Sequence, residues 1–166
     1  MHIASAMCAM LLLCACRSQA VPDQSGAPAP KSSAAQPTAD FNLLVSKGDY
    51  AGAIAFVEKS NLAPDEKDGI NGNLILDGLA DPAASTRTPY TLSDGFARLE
   101  RAAAAGRVQS VADLRAKFTV GVNYEGKSVL MAPVARLGQC WAKVEAGTQS
   151  AAFCIALRQR LHVPEH

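Results

Sequence analysis

The chain has 166 residues, with 16 Lys and Arg against 15 Asp and Glu, a net charge of +1 and only 5% aromatic residues. Charge this balanced excludes nucleic acid as the expected partner, because phosphate binding rests on a concentrated positive field. The apolar fraction of 49% is largely alanine, and the length fits one domain with a tail.

In chain order, the first feature is the apolar run Ile3 to Cys16, 14 residues long. A bilayer-spanning helix needs roughly 20, so the run is too short to span but fits the apolar core of a secretory signal. Its start is atypical, since Met1-His2 carries no Lys or Arg. No other stretch is long and apolar enough to span.

Leu13-Cys14-Ala15-Cys16 sets a branched apolar residue three before, and a small residue just before, a cysteine. This resembles the bacterial lipobox. The resemblance implies that 1–15 is a lipoprotein signal peptide, that Cys16 becomes the lipidated N-terminus, and that Cys8 and Cys14 leave with the signal. Arg17 in place of Asp after the cysteine implies sorting to the outer membrane, with the mature chain facing the periplasm. The alternatives are an ordinary signal peptide that contains cysteines, or an apolar cytosolic N-terminus. After Cys16 the chain to residue 39 is rich in Pro, Ala and Ser (VPDQSGAPAPKSSAAQPTA). It lacks the large apolar groups needed to offset ordering entropy, so 16–39 reads as an extended tether. The folded domain is expected over 40–166.

That domain reads as mainly α. Asp40 is placed to cap a helix over Phe41 to Val45, which Lys47-Gly48-Asp49 stops. Tyr50 to Glu58 follows as a helix, with Ala53, Ile54 and Val57 on one face. Asn71-Gly72-Asn73 reads as a break before Leu74-Ile75-Leu76. Ser93 is placed to cap a helix whose apolar face is Phe96, Leu99, Ala102 and Ala103, ended by Gly106. Val108, Val111, Ala112 and Leu114 line another. Phe118 to Val122 reads as a strand or extended finger that turns at Tyr124-Glu125-Gly126 and pairs with Ser128 to Met131, so a β-hairpin is expected around 118–131.

The segments also echo one another. Ala103-Ala104-Ala105-Gly106-Arg107 recurs 32 residues later as Ala135-Arg136-Leu137-Gly138-Gln139. Between them run Val111-Ala112-Asp113-Leu114, Gly121-Val122-Asn123 and Glu125-Gly126-Lys127-Ser128-Val129-Leu130. This order resembles an ankyrin repeat, whose period is about 33 residues, and the helix ends also resemble Sel1-like and tetratricopeptide repeats. The resemblance covers roughly 40–150. It departs from the pattern where T-P-L-H is missing, where Pro133 falls in an expected inner helix, and where 58 residues separate Gly48 from Gly106. The expected fold is a short helical-repeat array or a small helical bundle.

Cys140 and Cys154 each lie seven residues from Gly147. If two antiparallel helices turn at Gly147, the cysteines face each other, and in an oxidising periplasm they form a disulfide. The alternative is two buried thiols.

Catalytic chemistry has little to stand on. The mature chain holds only His162 and His166, both in its last five residues, where a general base is poorly held. An enzyme reading would rest on His162, which is otherwise a polar residue at a helix end. Aligning Gly69 with the glycine of a calcium loop puts Pro64 and Ile75 where Asp and Glu are needed, so 65–73 is expected to be an ordinary polar loop. Gly121 to Ser128 spells the phosphate-loop string G-x-x-x-x-G-K-S, but Pro133 shortens any helix after it, no other strands supply a sheet, and a periplasmic location would remove the ATP supply. No metal ligand set and no cofactor are expected. Arg98, Arg101, Arg107, Arg115, Arg136, Arg158 and Arg160 are scattered, as a solvated face or a surface for an acidic protein.

Helical-repeat domains present side chains along one surface. A small lipid-anchored domain of this kind resembles the periplasmic immunity lipoproteins of interbacterial toxin systems. That resemblance implies a protein partner, a secreted toxin, bound and inhibited by direct contact, with the membrane engaged through the lipid alone. The rival expectation is a structural lipoprotein of an envelope or secretion assembly.

Overall fold

A computed structural model describes residues 38–124 and 128–163. Helix α1 (Thr38–Ser46) begins two residues before Asp40, which therefore sits in its first turn rather than capping it. The chain reverses at Gly48 and Asp49. The Asp49 side chain then caps α2 (Tyr50–Lys59) by accepting from the Gly52 N–H at 2.9 Å. Tyr50, Ala53, Ile54 and Val57 are buried at helical spacing, as the pattern requires.

Helix α3 (Pro64–Ala80) overturns the expected break at Asn71-Gly72-Asn73, because it runs unbroken for 17 residues. Glycine costs about 1 kcal/mol against alanine inside a helix. Here close packing offsets that cost. A Cβ on Gly72 would lie 2.7 Å from Leu99 Cγ and 2.9 Å from the Gly95 carbonyl oxygen, so only glycine lets α3 and α4 approach this closely. Asn71 is fully buried and donates to Glu58 Oε1 at 2.9 Å. Leu74, Ile75 and Leu76 are buried beside it, each contributing roughly 1.5–3 kcal/mol.

Helix α4 (Leu92–Ala104) starts earlier than a Ser93 cap would allow. Thr91 is the cap, and with Asp94 it forms a reciprocal capping box: the Thr91 hydroxyl accepts from the Asp94 N–H, and the Asp94 carboxylate accepts from the Thr91 N–H at 2.8 Å. The helix ends at Gly106, whose φ of +94° lets the Arg107 N–H turn back to the Ala102 carbonyl at 3.0 Å. The same stop recurs at Gly147, where the Thr148 N–H reaches the Lys143 carbonyl at 2.9 Å.

Helix α5 (Val108–Val120) takes in the first half of the expected strand. Phe118 stays helical because it is wholly buried and stacks on Phe96 of α4, with ring centroids 4.7 Å apart. The hairpin therefore begins later, as β1 (Val122–Tyr124) and β2 (Ser128–Met131), antiparallel with Val122 opposite Met131 and Asn123 opposite Val129. A bulge between these two pairs leaves Leu130 as the extra residue. Pro133 precedes α6 (Ala135–Glu145) rather than interrupting it, and α7 (Ala151–Arg160) is capped by Ser150.

Among the described residues the architecture is thus seven helices and one two-stranded hairpin. Helix α3 is central, packing on α2, α4, α5 and both strands. Helix pairs stacked as repeats would set α4 beside α6 and α5 beside α7. Instead α5 packs on α6, and α7 reaches α4. The 32-residue echo joins unlike places, since Gly106 ends α4 whereas Gly138 lies inside α6. All described residues belong to one compact unit, Gln36–His166. Its buried apolar groups form two clusters: Tyr50, Ile54, Val57 and Ile75 in one, and Phe96, Leu114, Phe118, Leu137, Trp141 and Cys154 in the larger.

Candidate functional site

Cys16 and the tether to residue 37 lie outside the described residues, and the last two residues expected in the tether, Thr38 and Ala39, belong to α1. Cys140 and Cys154 are joined as a disulfide between α6 and α7, with Cα atoms 5.7 Å apart, and both are buried in the larger cluster. His162 is exposed in the turn after α7, at a φ of 50°, and His166 lies outside the described residues. The phosphate-loop string does not adopt a phosphate-loop context: Gly121 follows a helix, Ser128 opens β2, and 125–127 lie outside the described residues. Residues 65–73 are not the expected polar loop: they lie within α3, whose close packing on α4 at Gly72 holds them helical.

Most of the scattered arginines are engaged inside the domain. Arg98 and Arg101 hold Asp68, and Arg98 also holds Glu58 at 2.7 Å, tying α4 to α2 and α3. Arg115 pairs with Glu145, and Arg158 with Glu100. Asp68 bonding holds the Arg101 guanidinium still more firmly protonated than usual. Arg136 and Arg160 are left exposed.

Two adjoining recesses lie between α3 and α5. Asp65, Gly69, Asn73 and Asp77 follow one another at four-residue spacing along α3, and Gln109, Asp113 and Lys117 do the same along α5, so each set forms one stripe. The stripes face each other. Near the start of both helices a cavity of about 220 Å³ is bounded by Asp65, Glu66, Ile70 and Arg107. A wider, open hollow of about 480 Å³ continues toward the hairpin, bounded by Asp77, Lys117, Val120 and Asn123. Asn73 and Asp113 border both.

Direct bonds fix this geometry. Arg107 bridges Asp65 at 2.6 Å and Glu66 at 2.9 Å, and these carboxylates, Glu66 foremost, raise its already high pKa. Lys117 Nζ donates to Asp77 at 2.7 Å. Asp113 is held differently: Asn73 Nδ2 donates to Oδ2 at 2.7 Å and Gln109 Nε2 to Oδ1 at 2.9 Å. Both donors are neutral, and no described cation pairs with Asp113. The lining therefore carries four carboxylates against two cations. At the hairpin end Val120 is 62% and Val129 69% exposed. Val129 lies opposite Asn123 and so on its side of the ribbon.

Such an arrangement can recognise and hold a polar or cationic group beside an apolar one. Among the described residues no cluster of His, Cys, Asp and Glu is placed to hold a metal ion, and no helix is long and apolar enough to cross a membrane. The four-residue stripes are the sequence signal that could have located the cleft. No family model, curated protein or solved structure matches the chain.

Proposed function

We propose that the chain is a periplasmic protein-binding module, held at the membrane by lipid on Cys16, and that it is an immunity protein which inhibits a secreted antibacterial effector by direct binding. One observation carries the reading: the α3–α5 cleft, lined by charged side chains, is edged by exposed Val120 of α5, with exposed Val129 of β2 paired opposite its lining residue Asn123. Adjoining polar and apolar surface of this kind is the anatomy of a protein interface. The Cys140–Cys154 bond supports an oxidising compartment.

The test is competition. Cells lacking the gene are expected to lose to parental siblings when grown in contact, and to recover when the full chain is restored. A Cys16→Ala allele should protect poorly. A deletion strain that competes normally refutes immunity. Envelope defects in monoculture without competitive loss would favour instead a structural lipoprotein of an envelope or secretion assembly.

A further inference from the structure

The cleft has an unbalanced centre. Of its four carboxylates, Asp77 is matched by Lys117, and Asp65 and Glu66 share Arg107. Among the described residues Asp113 has only the amides of Asn73 and Gln109. Amide donors orient a carboxylate without cancelling its charge. Each ionised carboxylate has about four acceptor positions, so two amide bonds leave capacity for another donor. Asp113 stands where the two recesses meet. The recesses offer apolar wall on either side, Ile70 in one and Ala116 and Val120 in the other.

We infer that this cleft receives an Arg or Lys side chain, flanked by an apolar residue, from the docking segment of a partner protein, with Asp113 as its counter-charge. The inference rests on the protein-binding reading above. Charge complementarity selects the occupant. A cation restores balance at Asp113, whereas an acidic segment would face a lining already in carboxylate excess. The alkyl stem of Arg or Lys, or its apolar neighbour, covers Ile70 or Val120.

The probe is the peptide acetyl-Leu-Arg-Leu-Arg-Leu-amide, titrated into the ¹⁵N-labelled full chain in a neutral detergent and followed by NMR. Saturable shifts are expected at Asn73, Gln109 and Asp113, with none from acetyl-Leu-Glu-Leu-Glu-Leu-amide. Added salt should weaken binding, and Asp113→Asn should weaken it about fivefold, the upper range for a half-exposed ion pair. Shifts located elsewhere, equal binding of the acidic peptide, or undiminished binding by Asp113→Asn would each overturn the inference. So would concentration-dependent shifts of these residues without peptide, which would seat a second copy in the cleft. Failure here with normal protection in the competition assay removes the cleft assignment alone; loss of the protein-binding reading requires the competition result.

Discussion

The Glu100–Arg158 pair, joining α4 to α7 across 58 residues, offers a demanding test of how the domain is held together. Arg158 Nε and Nη2 donate to Glu100 Oε1 and Oε2 at 2.6 and 2.8 Å, and Nη1 donates to the Val163 carbonyl at 2.7 Å. The two side chains are only 9% and 5% exposed. At that depth a pair contributes little net stability over an apolar substitute, yet removing one partner strands the other charge at a cost of about 3–5 kcal/mol. Arg158→Met should therefore lower Tm by about 10–20 °C for a domain of this size. Glu100→Leu combined with Arg158→Met should recover most of that loss. Urea melts followed by the single tryptophan, Trp141, which is fully buried, would measure both. If Arg158→Met costs under about 1 kcal/mol, or the double variant is as unstable as the single one, then an unpaired buried charge is not what governs this contact.

Two further predictions concern other links in the fold. The disulfide closes a loop between positions 14 apart, so replacing Cys140 and Cys154 by serine should cost about 3 kcal/mol in denaturant unfolding; thiol titration of the denatured, unreduced protein should find neither cysteine free. Bonding from the Thr91 N–H, then its hydroxyl, with Arg98 nearby, holds the Asp94 carboxyl below its usual range. Because the folded value is depressed, the stabilisation is present above the unfolded value of about 3.9 and is lost as pH falls through the folded one. The Tm deficit of Asp94→Asn should thus be full at pH 7 and vanish in acid; a deficit unchanged down to the acid limit would refute the charge-based account.

Several of these features are legible in the residues themselves. The burial of α2 follows from Ala53, Ile54 and Val57, and the Gly106 and Gly147 stops follow from the need for positive φ. Where sequence and fold part, the cause is shared: a local signal is overridden by a contact distant in the chain. Asn71-Gly72-Asn73 signals a break in isolation, but Leu99 and Gly95 press against Gly72 and reward a helix there. Phe118-Thr119-Val120 has strand composition, yet the Phe96 ring holds Phe118 at helical geometry. The repeat echo arises because small residues serve two purposes: Gly106 terminates a helix, while Gly138 admits Thr119, whose Oγ1 would lie 2.6 Å from a Cβ there. The arginines resemble free surface in the sequence because their acidic partners, Glu58, Asp68 and Glu100, are 33 to 58 residues away. The cleft shows in the sequence only as two four-residue stripes, which carry chemistry only when α3 and α5 face each other.

That facing arrangement explains why α3 tolerates so much glycine. Gly72 sets its distance from α4, while a Cβ at Gly69 would meet the Ser110 hydroxyl of α5 at 2.8 Å. The three glycines of α3, Gly69, Gly72 and Gly78, weaken the isolated helix by about 3 kcal/mol relative to alanine, so α3 depends on its neighbours for its existence. The dependence runs both ways, since α4 is positioned by a helix with no side chain at its point of closest approach. Asn73 and Asp113, on opposite walls, are brought to 2.7 Å in the free protein. A carboxylate oriented in advance adds no ordering cost when a cation arrives. Replacing Asn73 by alanine would remove an amide that orients Asp113 without touching its charge, so it should weaken peptide binding while leaving its salt dependence intact. Asp113→Asn should diminish both, and that contrast separates the geometry of the cleft from its electrostatics.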